Sequence, residues 1–315
     1  MGLRMKLWPG GAAMSGLLGL VALPFILGSA GAAGADKTGT LTWTVPPFPP
    51  AFISEDGTLS GYAADTQNWF AEQLGDYDHD VLEVPLARLL AEMRNGSNEA
   101  GPADDIRCST TLIPTEERRE YISFAKTILL HLPISVVIRA ADTAKFKPFL
   151  DDEDHIRLGP LIAAGDMTTA VRIGRSYGTL IDRFVQRYHN APQVMTVADD
   201  GKLLKLLELG RIDWVFYFPS EAEYFRRQIT PDQAIKSLPI RGNTALLEAT
   251  IGCAKTPAGQ KAVARINQIV DAHPEMPWTN FYAAWLSPGD REWFTAARAQ
   301  YIAPKQFEAL LMPGK

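Results

Sequence analysis

The chain has 315 residues, of which 46% are hydrophobic and 21% are charged, and its formal net charge is −5 at pH 7. This acidic balance argues against a protein that binds the phosphate backbone of nucleic acids, so we expect no nucleic-acid partner. The length exceeds that of one average domain and allows two lobes of ordinary size.

Residues 1–35 have the pattern of a secretory signal peptide. Arg4 and Lys6 supply positive charge, residues 12–27 are almost wholly apolar, and Ala33-Gly34-Ala35 is an A-x-A cleavage site. We expect cleavage after Ala35 and a soluble, periplasmic mature protein; a retained membrane anchor is the alternative. Removing the two basic residues leaves 29 basic against 36 acidic ones, a charge of about −7.

The only two cysteines are Cys108 and Cys253. Two lone cysteines in an oxidising compartment often pair, and we predict a Cys108–Cys253 disulfide. Two separate buried thiols are the alternative. Neither cysteine belongs to a CxxC or has a histidine at metal-ligand spacing, so we expect no metal site and no cofactor.

The first part of the mature chain alternates strands and helices. Residues 39–45 alternate apolar and polar side chains, which predicts a strand that the following prolines end. Further elements are predicted at residues 65–74 (helix), 81–84 (strand), 86–93 (helix), 107–113 (strand), 115–120 (helical turn) and 132–139 (strand). Residues 145–160 carry charges and prolines and predict a linker or an irregular entry into a second lobe.

The alternation continues in the second part of the chain. Elements are predicted at residues 170–174 (strand), 180–188 (helix), 203–209 (helix), 212–218 (strand), 220–227 (helix), 249–254 (strand) and 259–272 (helix). The C-terminal stretch is rich in aromatic residues and is expected to be helical. Strands that alternate with helices predict an α/β fold.

Catalytic motifs are absent from the sequence. It contains no G-x-S-x-G, H-E-x-x-H, P-loop or G-x-G-x-x-G pattern. The five histidines are scattered, and the acidic run at residues 151–154 is typical of a solvated loop. We therefore assign no catalytic residue and expect a protein that is not an enzyme.

Three stretches carry a set of motifs in a fixed order. They are Pro46-Pro47-Phe48 with Asp56-Gly57-Thr58-Leu59-Ser60-Gly61-Tyr62 and Asp65, then residues 112–118 with 122–125, and then residues 172–179 with Gly210-Arg211-Ile212-Asp213. In order and spacing the set resembles the extracellular solute-binding family 3 proteins, the type II periplasmic binding proteins of polar amino-acid ABC transporters. The similarity covers roughly residues 41–270, as in a divergent member of the family.

This resemblance implies a two-lobed α/β fold with mixed, mostly parallel sheets and flanking helices. The first lobe is expected at residues 36–132 together with 238–315, which includes the C-terminal helices, and the second lobe at residues 133–237. Two crossing segments, near residues 132–139 and 238–241, would form the hinge. Closure around a ligand would be a hinge motion.

The resemblance also implies ligand-binding residues in each lobe. By the family pattern Arg118 holds a ligand carboxylate with two parallel N–H donors, assisted by the backbone and hydroxyl of Thr111. A surface ion pair with a neighbouring glutamate is the alternative for this arginine. In the second lobe Ser176, Gly178 and Thr179 open a helix whose free N–H groups suit an anion.

Two departures from the family pattern bear on the ligand. Ile113 stands where amino-acid binders have a second hydroxyl, and Phe218 stands where they have the carboxylate that holds the amino group. Residues 214–218 are all aromatic or apolar, although an aromatic strand is more often plain core. The aromatic candidates in the first lobe are Trp43, Phe48 and Phe52. We therefore expect an anionic ligand with an apolar or aromatic body, and not an ordinary α-amino acid.

The sequence thus predicts a monomeric solute-binding protein that captures a small molecule for ABC-type uptake or for sensing, with an inner-membrane permease or sensor as its partner. Two alternatives stay open. One is an enzyme on the same scaffold, similar to a dehydratase, for which Tyr217 is the only acid or base in the aromatic run. The other is an accessory protein that docks on a membrane or redox partner through the aromatic C-terminal stretch.

Overall fold

The computed structural model describes residues 37–98 and 105–311, so the predicted signal peptide lies outside the described residues. The strands in this part of the chain are β1 (Thr40–Val45), β2 (Ile53–Glu55), β3 (Thr58–Ser60), β4 (Asp78–Glu83), β5 (Asp105–Leu112), β6 (Ile122–Phe124), β7 (Leu129–His131), β8 (Ser135–Arg139), β9 (Thr169–Arg172), β10 (Val194–Val197), β11 (Trp214–Tyr217), β12 (Ile235–Leu238) and β13 (Leu247–Ala254). They form two larger sheets and the β2–β3 hairpin.

Helices flank both sheets. They are α1 (Tyr62–Gln73), α2 (Leu86–Asn98), α3 (Glu116–Arg119), α4 (Thr143–Phe146), α5 (Leu158–Ala163), α6 (Thr179–Tyr188), α7 (Asp200–Glu208), α8 (Pro219–Ile229), α9 (Pro257–Ala272), α10 (Thr279–Ala283) and α11 (Pro288–Leu311). None of the helices in the described ranges is both long and apolar enough to cross a membrane.

The first sheet has the order β4-β1-β5-β13-β6, and β7 also pairs with β13. Strand β1 is parallel to both of its neighbours, while β13 runs antiparallel to β5, β6 and β7. Residues 41–45 are buried without alternation, as expected for a strand in the middle of a sheet that is covered on both faces. We call the part of the chain built on this sheet the first lobe.

The second sheet has the order β10-β9-β11-β8-β12, and we call the part built on it the second lobe. In β11, Trp214 and Phe216 point into the core on one face, and Val215 and Tyr217 into the core on the other. This follows from the two-residue period of a strand. The aromatic run therefore fills both cores of the second lobe, and only Phe218, after the strand ends, is half-buried.

Aromatic side chains from the C-terminal helices complete the core of the first lobe. Trp278, Tyr282 and Phe294 are each no more than 1% exposed and pack with Trp43 and Phe70. The indole N–H of Trp278 donates to the backbone carbonyl of Ile128 at 2.7 Å, which satisfies its one polar group in the core. These three rings are therefore core residues, whereas Phe281, Trp285 and Trp293 of the same stretch are half-buried.

The chain passes between the two sheets twice. It leaves β7 at His131 and enters β8 at Ser135, and it returns from Leu238 of β12 to Leu247 of β13. The strand predicted at residues 132–139 is therefore shorter, because its first residues form the crossing. On the return path the side-chain amide of Asn243 donates to the carbonyl of Ile134 at 2.9 Å, which ties the two crossings together.

The predicted disulfide between Cys108 and Cys253 is present. The two residues are directly opposite in the antiparallel pairing of β5 with β13, with their Cα atoms 4.0 Å apart, and both are fully buried. The bond joins segments separated by 145 positions. It fixes the return strand to the middle of the first sheet.

Candidate functional site

A pocket of about 120 Å³ lies where the two lobes meet. The first lobe contributes Phe48, Tyr62, Thr111, Ile113, His131, Leu247 and Ala249. The second lobe contributes Phe218, Ser220 and Glu221. A concave, mostly apolar site with a few polar groups and walls from both lobes is typical of a small-molecule binding site.

The exposure of the lining residues distinguishes a mouth from a floor. Phe48 and Ile113 are 44% and 41% exposed and mark the mouth. Tyr62, His131 and Glu221 are 4%, 8% and 4% exposed and form the floor. A ligand in this pocket would therefore have one end near solvent and the other among buried polar groups.

A tight backbone contact places the loop that carries Phe48. Phe48 and Phe52 exchange backbone hydrogen bonds of 3.2 and 2.9 Å. Gly61 packs against this loop with a φ of 110°, and a Cβ there would lie 2.5 Å from the carbonyl oxygens of Pro50 and Ala51. Only glycine fits this position. The close approach sets the start of α1 beside the loop.

Three aromatic rings pack together at the floor of the pocket. The His131 ring lies 5.4 Å from the Tyr62 ring and 5.0 Å from the Tyr282 ring, in edge-to-face arrangements. The Tyr282 hydroxyl accepts a hydrogen bond from the backbone N–H of Leu132 at 3.0 Å, at the first crossing, and interacts with the Ser220 side chain. Burial raises the pKa of both tyrosine hydroxyls, so both stay protonated at neutral pH.

The imidazole of His131 is uncharged at neutral pH. Burial lowers the pKa of His131 to about 4, because the charged ring would lose its hydration, and the backbone of Leu247 offsets this only in part. Neither ring nitrogen makes a hydrogen bond of normal geometry to any residue that the structure describes. The floor thus presents a neutral ring with one N–H donor and one nitrogen acceptor.

The second lobe contributes a buried carboxylate to the pocket. Glu221 lies in the first turn of α8, where the positive end of the helix dipole favours a negative charge. Its carboxylate is 2.6 Å from the guanidinium of Arg175, and their side chains are only 6% and 12% exposed. The guanidinium also lies over the rings of Tyr177 and Tyr217. Glu221 is therefore held by the second lobe itself.

Three of the sequence-predicted site residues come together in this pocket: Phe48, Thr111 and Phe218. Ile113, which departs from the family pattern, lies beside them. The predicted aromatic candidates Trp43 and Phe52 do not reach it, because both are 1% exposed and belong to the first core.

Arg118 is half-buried next to the mouth. Its guanidinium Nη1 donates to the backbone carbonyl of Ile113 at 3.1 Å. Its own backbone N–H donates to the hydroxyl of Thr115, the N-cap of α3, at 3.3 Å. Arg118 does not itself line the pocket, but it contacts the backbone of Ile113, a residue of the mouth. The role of Arg118 as a carboxylate anchor stays a prediction.

The anion site predicted at the start of α6 already contains the carboxylate of Asp182. Ser176 donates its hydroxyl hydrogen to Asp182 at 2.6 Å, and the N–H of Tyr177 donates to the same carboxylate at 2.7 Å. Gly178 caps α6 with a φ of 91°, and Thr179 begins the helix. Ser176, Gly178 and Thr179 are exposed and do not line the pocket between the lobes. An anion at this helix start would meet the Asp182 carboxylate.

The acid–base groups of the pocket differ from those expected. Tyr217, the one candidate from the aromatic run, is fully buried in the second lobe. Glu221 and His131 face the pocket and were not predicted. Residues 37–98 and 105–311 contain no group of histidine, cysteine and carboxylate side chains suited to hold a metal ion.

The fold is that of known solute-binding proteins. The structure is similar to an ancestral cationic amino acid solute-binding protein, with a TM-score of 0.58 and 15% identity over 79% of this chain and 96% of the other. It is also similar to the probable amino-acid ABC transporter extracellular-binding protein YtmK from Bacillus subtilis, with a TM-score of 0.56 and 16% identity over 80% and 100% of the two chains.

A third similar structure is the L-cystine solute receptor of Neisseria gonorrhoeae in its unliganded open conformation. Its TM-score is 0.52 and its identity 16%, over 76% of this chain and 88% of the receptor. No protein-family model and no curated protein matches the sequence. The comparisons confirm the predicted two-lobed type II periplasmic binding fold. Its sheets are mixed, as predicted, but not mostly parallel, because four pairings between the described strands of the two larger sheets are parallel and five are antiparallel. As the sequence resemblance predicted, the structural neighbours are amino-acid and cystine binding proteins.

Proposed function

We propose that the chain is an exported solute-binding protein that captures a small carboxylate with an apolar or aromatic body between its two lobes. The observation that carries this proposal is the pocket itself, which takes Phe48 and Ile113 from one lobe and Phe218 from the other. Similarity to solute receptors of ABC transporters supports a binding role and an ABC permease as partner. The alternative partner is a sensor protein that binds the chain when its two lobes are closed around the ligand.

Among the described residues that line the pocket, none offers an exposed carboxylate for an amino group. Phe218 occupies the position that holds the amine in amino-acid binders, and Glu221 is already paired with Arg175. The walls near the mouth are apolar, and Arg118 supplies a guanidinium beside them. A ligand whose carboxylate lies at the mouth and whose apolar body lies inside the pocket is consistent with all three features.

We assign the first lobe to residues 36–132 and 238–315 and the second to residues 133–237. Export would follow cleavage after Ala35, and the protein would work in the periplasm as a monomer. Intact mass of the secreted protein tests this, because a chain that still begins at Met1 would exclude cleavage.

A thermal-shift screen of small carboxylates tests the proposed function. A ligand that binds only the folded state stabilises it by about 2.7 kcal/mol at a hundredfold excess over Kd. For a mature chain of about 280 residues that corresponds to a rise in Tm of roughly 5 °C. Neutral sugars and simple amines serve as controls. If no carboxylate raises Tm at millimolar concentration, the proposed function is wrong.

A further inference from the structure

His131 stands apart from the other polar groups of the pocket. Among the lining residues it alone has buried side-chain atoms without a hydrogen bond of normal geometry to the described part of the chain. The backbone of Leu247 interacts with one ring nitrogen. The other ring nitrogen is left for another group. A buried polar group without a partner is costly, so folded proteins keep one mainly where it serves a function. The ring lines the floor of a pocket between the two lobes, and both of its nitrogens are buried there.

The surroundings of His131 define what it can recognise. The groups that face it are the phenols of Tyr62 and Tyr282, and the Glu221 carboxylate lies on the same floor. The phenols are uncharged at neutral pH, and the Glu221 carboxylate repels an anion. A second anionic group of a ligand is therefore disfavoured here. An uncharged group that both donates and accepts a hydrogen bond suits a neutral imidazole.

The size of the pocket limits the body of the ligand. Its volume is about 120 Å³. An engineered apolar cavity of about 150 Å³ in another protein accommodates benzene. Phe48, Tyr62 and Phe218 provide aromatic faces and edges against which a flat ring can pack. The space fits one ring better than a long chain or a fused ring system.

We propose that His131 recognises a hydroxyl group at the inner end of the ligand, and that the solute class is a hydroxylated aromatic carboxylate. The inference rests on the proposed function, which places the carboxylate at the mouth beside Arg118. The ring lies between the two ends, against Phe48 and Phe218. Because the ring N–H faces the backbone of Leu247, the remaining nitrogen of the neutral ring is an acceptor, and the ligand hydroxyl donates to it.

Such a site distinguishes strongly between related ligands. A site built to hydrogen-bond a substrate hydroxyl rejects the analogue that lacks it, because its own buried polar group is then left unpaired. An apolar pocket discriminates much less between ligands that differ by one methyl group. Affinity should thus depend on the hydroxyl far more than on the size of the ring substituents.

Calorimetric titration with 4-hydroxybenzoate, benzoate and 4-methylphenol tests the proposal. The wild type is expected to bind 4-hydroxybenzoate at least about tenfold more tightly than benzoate. His131→Phe should abolish this preference, His131→Gln should keep part of it, and His189→Phe, at an exposed histidine, should leave it unchanged. If His131→Phe does not fold, the nitrogen chemical shifts of the His131 ring in the wild type replace it as the readout. They should move with 4-hydroxybenzoate and not with benzoate.

The outcomes separate this inference from the proposed function. Equal affinity of the wild type for 4-hydroxybenzoate and benzoate would overturn the role of His131 and leave carboxylate capture standing. Binding of 4-methylphenol that equals that of 4-hydroxybenzoate and depends on His131 would support the hydroxyl site and contradict the carboxylate anchor. Failure of all three compounds to bind at millimolar concentration would overturn the inference.

Discussion

The guanidinium of Arg175 and the carboxylate of Glu221 form an ion pair of 2.6 Å at the edge of the pocket between the lobes. Both residues belong to the second lobe, in the loop after β9 and in the first turn of α8. The pair therefore fixes the wall of the pocket within one lobe and does not lock the two lobes together. It also keeps the Glu221 carboxylate from serving as a free anchor for an amine.

Removing one partner of this pair should destabilise the protein. Arg175→Met leaves the nearly buried Glu221 carboxylate without its guanidinium, and we expect a loss of about 3 kcal/mol of unfolding free energy. The double variant Arg175→Met/Glu221→Leu should recover most of that loss, because no charge is then buried alone. Urea unfolding of the three proteins measures this. A double variant no more stable than the single one would contradict the interpretation.

The same substitution at Arg118 and at the neighbouring Arg119 tests whether Arg118 anchors the ligand carboxylate. Arg118→Lys replaces a planar fork by a point charge, and we expect the affinity for a carboxylate from the screen to fall by about 2–5 kcal/mol. Arg119 is exposed, lies 3.8 Å from Glu116 and has no contact with the pocket mouth, so Arg119→Lys should change little. Calorimetric titration decides this. Equal affinities of the wild type and Arg118→Lys would remove Arg118 from the site.

The Cys108–Cys253 disulfide should contribute strongly to stability. A bond that closes a loop across 145 positions restricts the unfolded chain and stabilises the fold by about 4–5 kcal/mol in the chain-entropy description. Cys108→Ala/Cys253→Ala should lose most of this in denaturant unfolding, and reduction of the wild type should give a similar loss. A change below about 1 kcal/mol would show that the native pairing of β5 with β13 holds without the bond.

The pH dependence of stability should report the buried state of His131. Its pKa falls from 6.5 in the unfolded chain to about 4 in the fold. Between these values the unfolded state binds the proton and the folded state does not, so stability decreases as the pH falls from 6.5 to 4. The loss attributable to this residue is about 3 kcal/mol.

His131→Phe isolates that contribution. The phenols of Tyr62 and Tyr282 remain protonated throughout this range because burial raises their pKa values. Asp290, whose pKa burial raises, acts in the opposite direction in both proteins and cancels in the comparison. Unfolding of the variant between pH 6.5 and 4 should show a smaller loss than that of the wild type. Parallel curves for the two proteins would mean that folding does not lower the pKa of His131.

Sequence patterns within short segments predicted the fold and three of the residues that line the pocket. Alternation in residues 39–45, the apolar run at residues 212–218 and three ordered motifs together indicated the right architecture. The motif positions led to Phe48, Thr111 and Phe218, which do line one pocket. These residues could be predicted because Phe48 and Phe218 come just after β1 and β11 and Thr111 lies in β5, and each of these strands has its own sequence signal.

The rest of the site depends on contacts between distant segments. His131 reaches the floor because β7 pairs with β13, and no local pattern marks that pairing. Glu221 carried a weaker signal, since Phe218-Pro219-Ser220-Glu221 has proline at the first helical position and an acid in the first turn. The sequence could not show that Asp182 accepts from Ser176 and Tyr177, because both hydrogen bonds arise from the fold of that turn.

A crystal structure of the mature protein with the tightest carboxylate from the screen tests the central claim most directly. We predict that the ligand lies between the lobes, in contact with Phe48 of the first and Phe218 of the second, with its carboxylate beside Arg118. A ligand bound to the outer surface of one lobe, with the pocket between Phe48 and Phe218 unoccupied, would contradict the account.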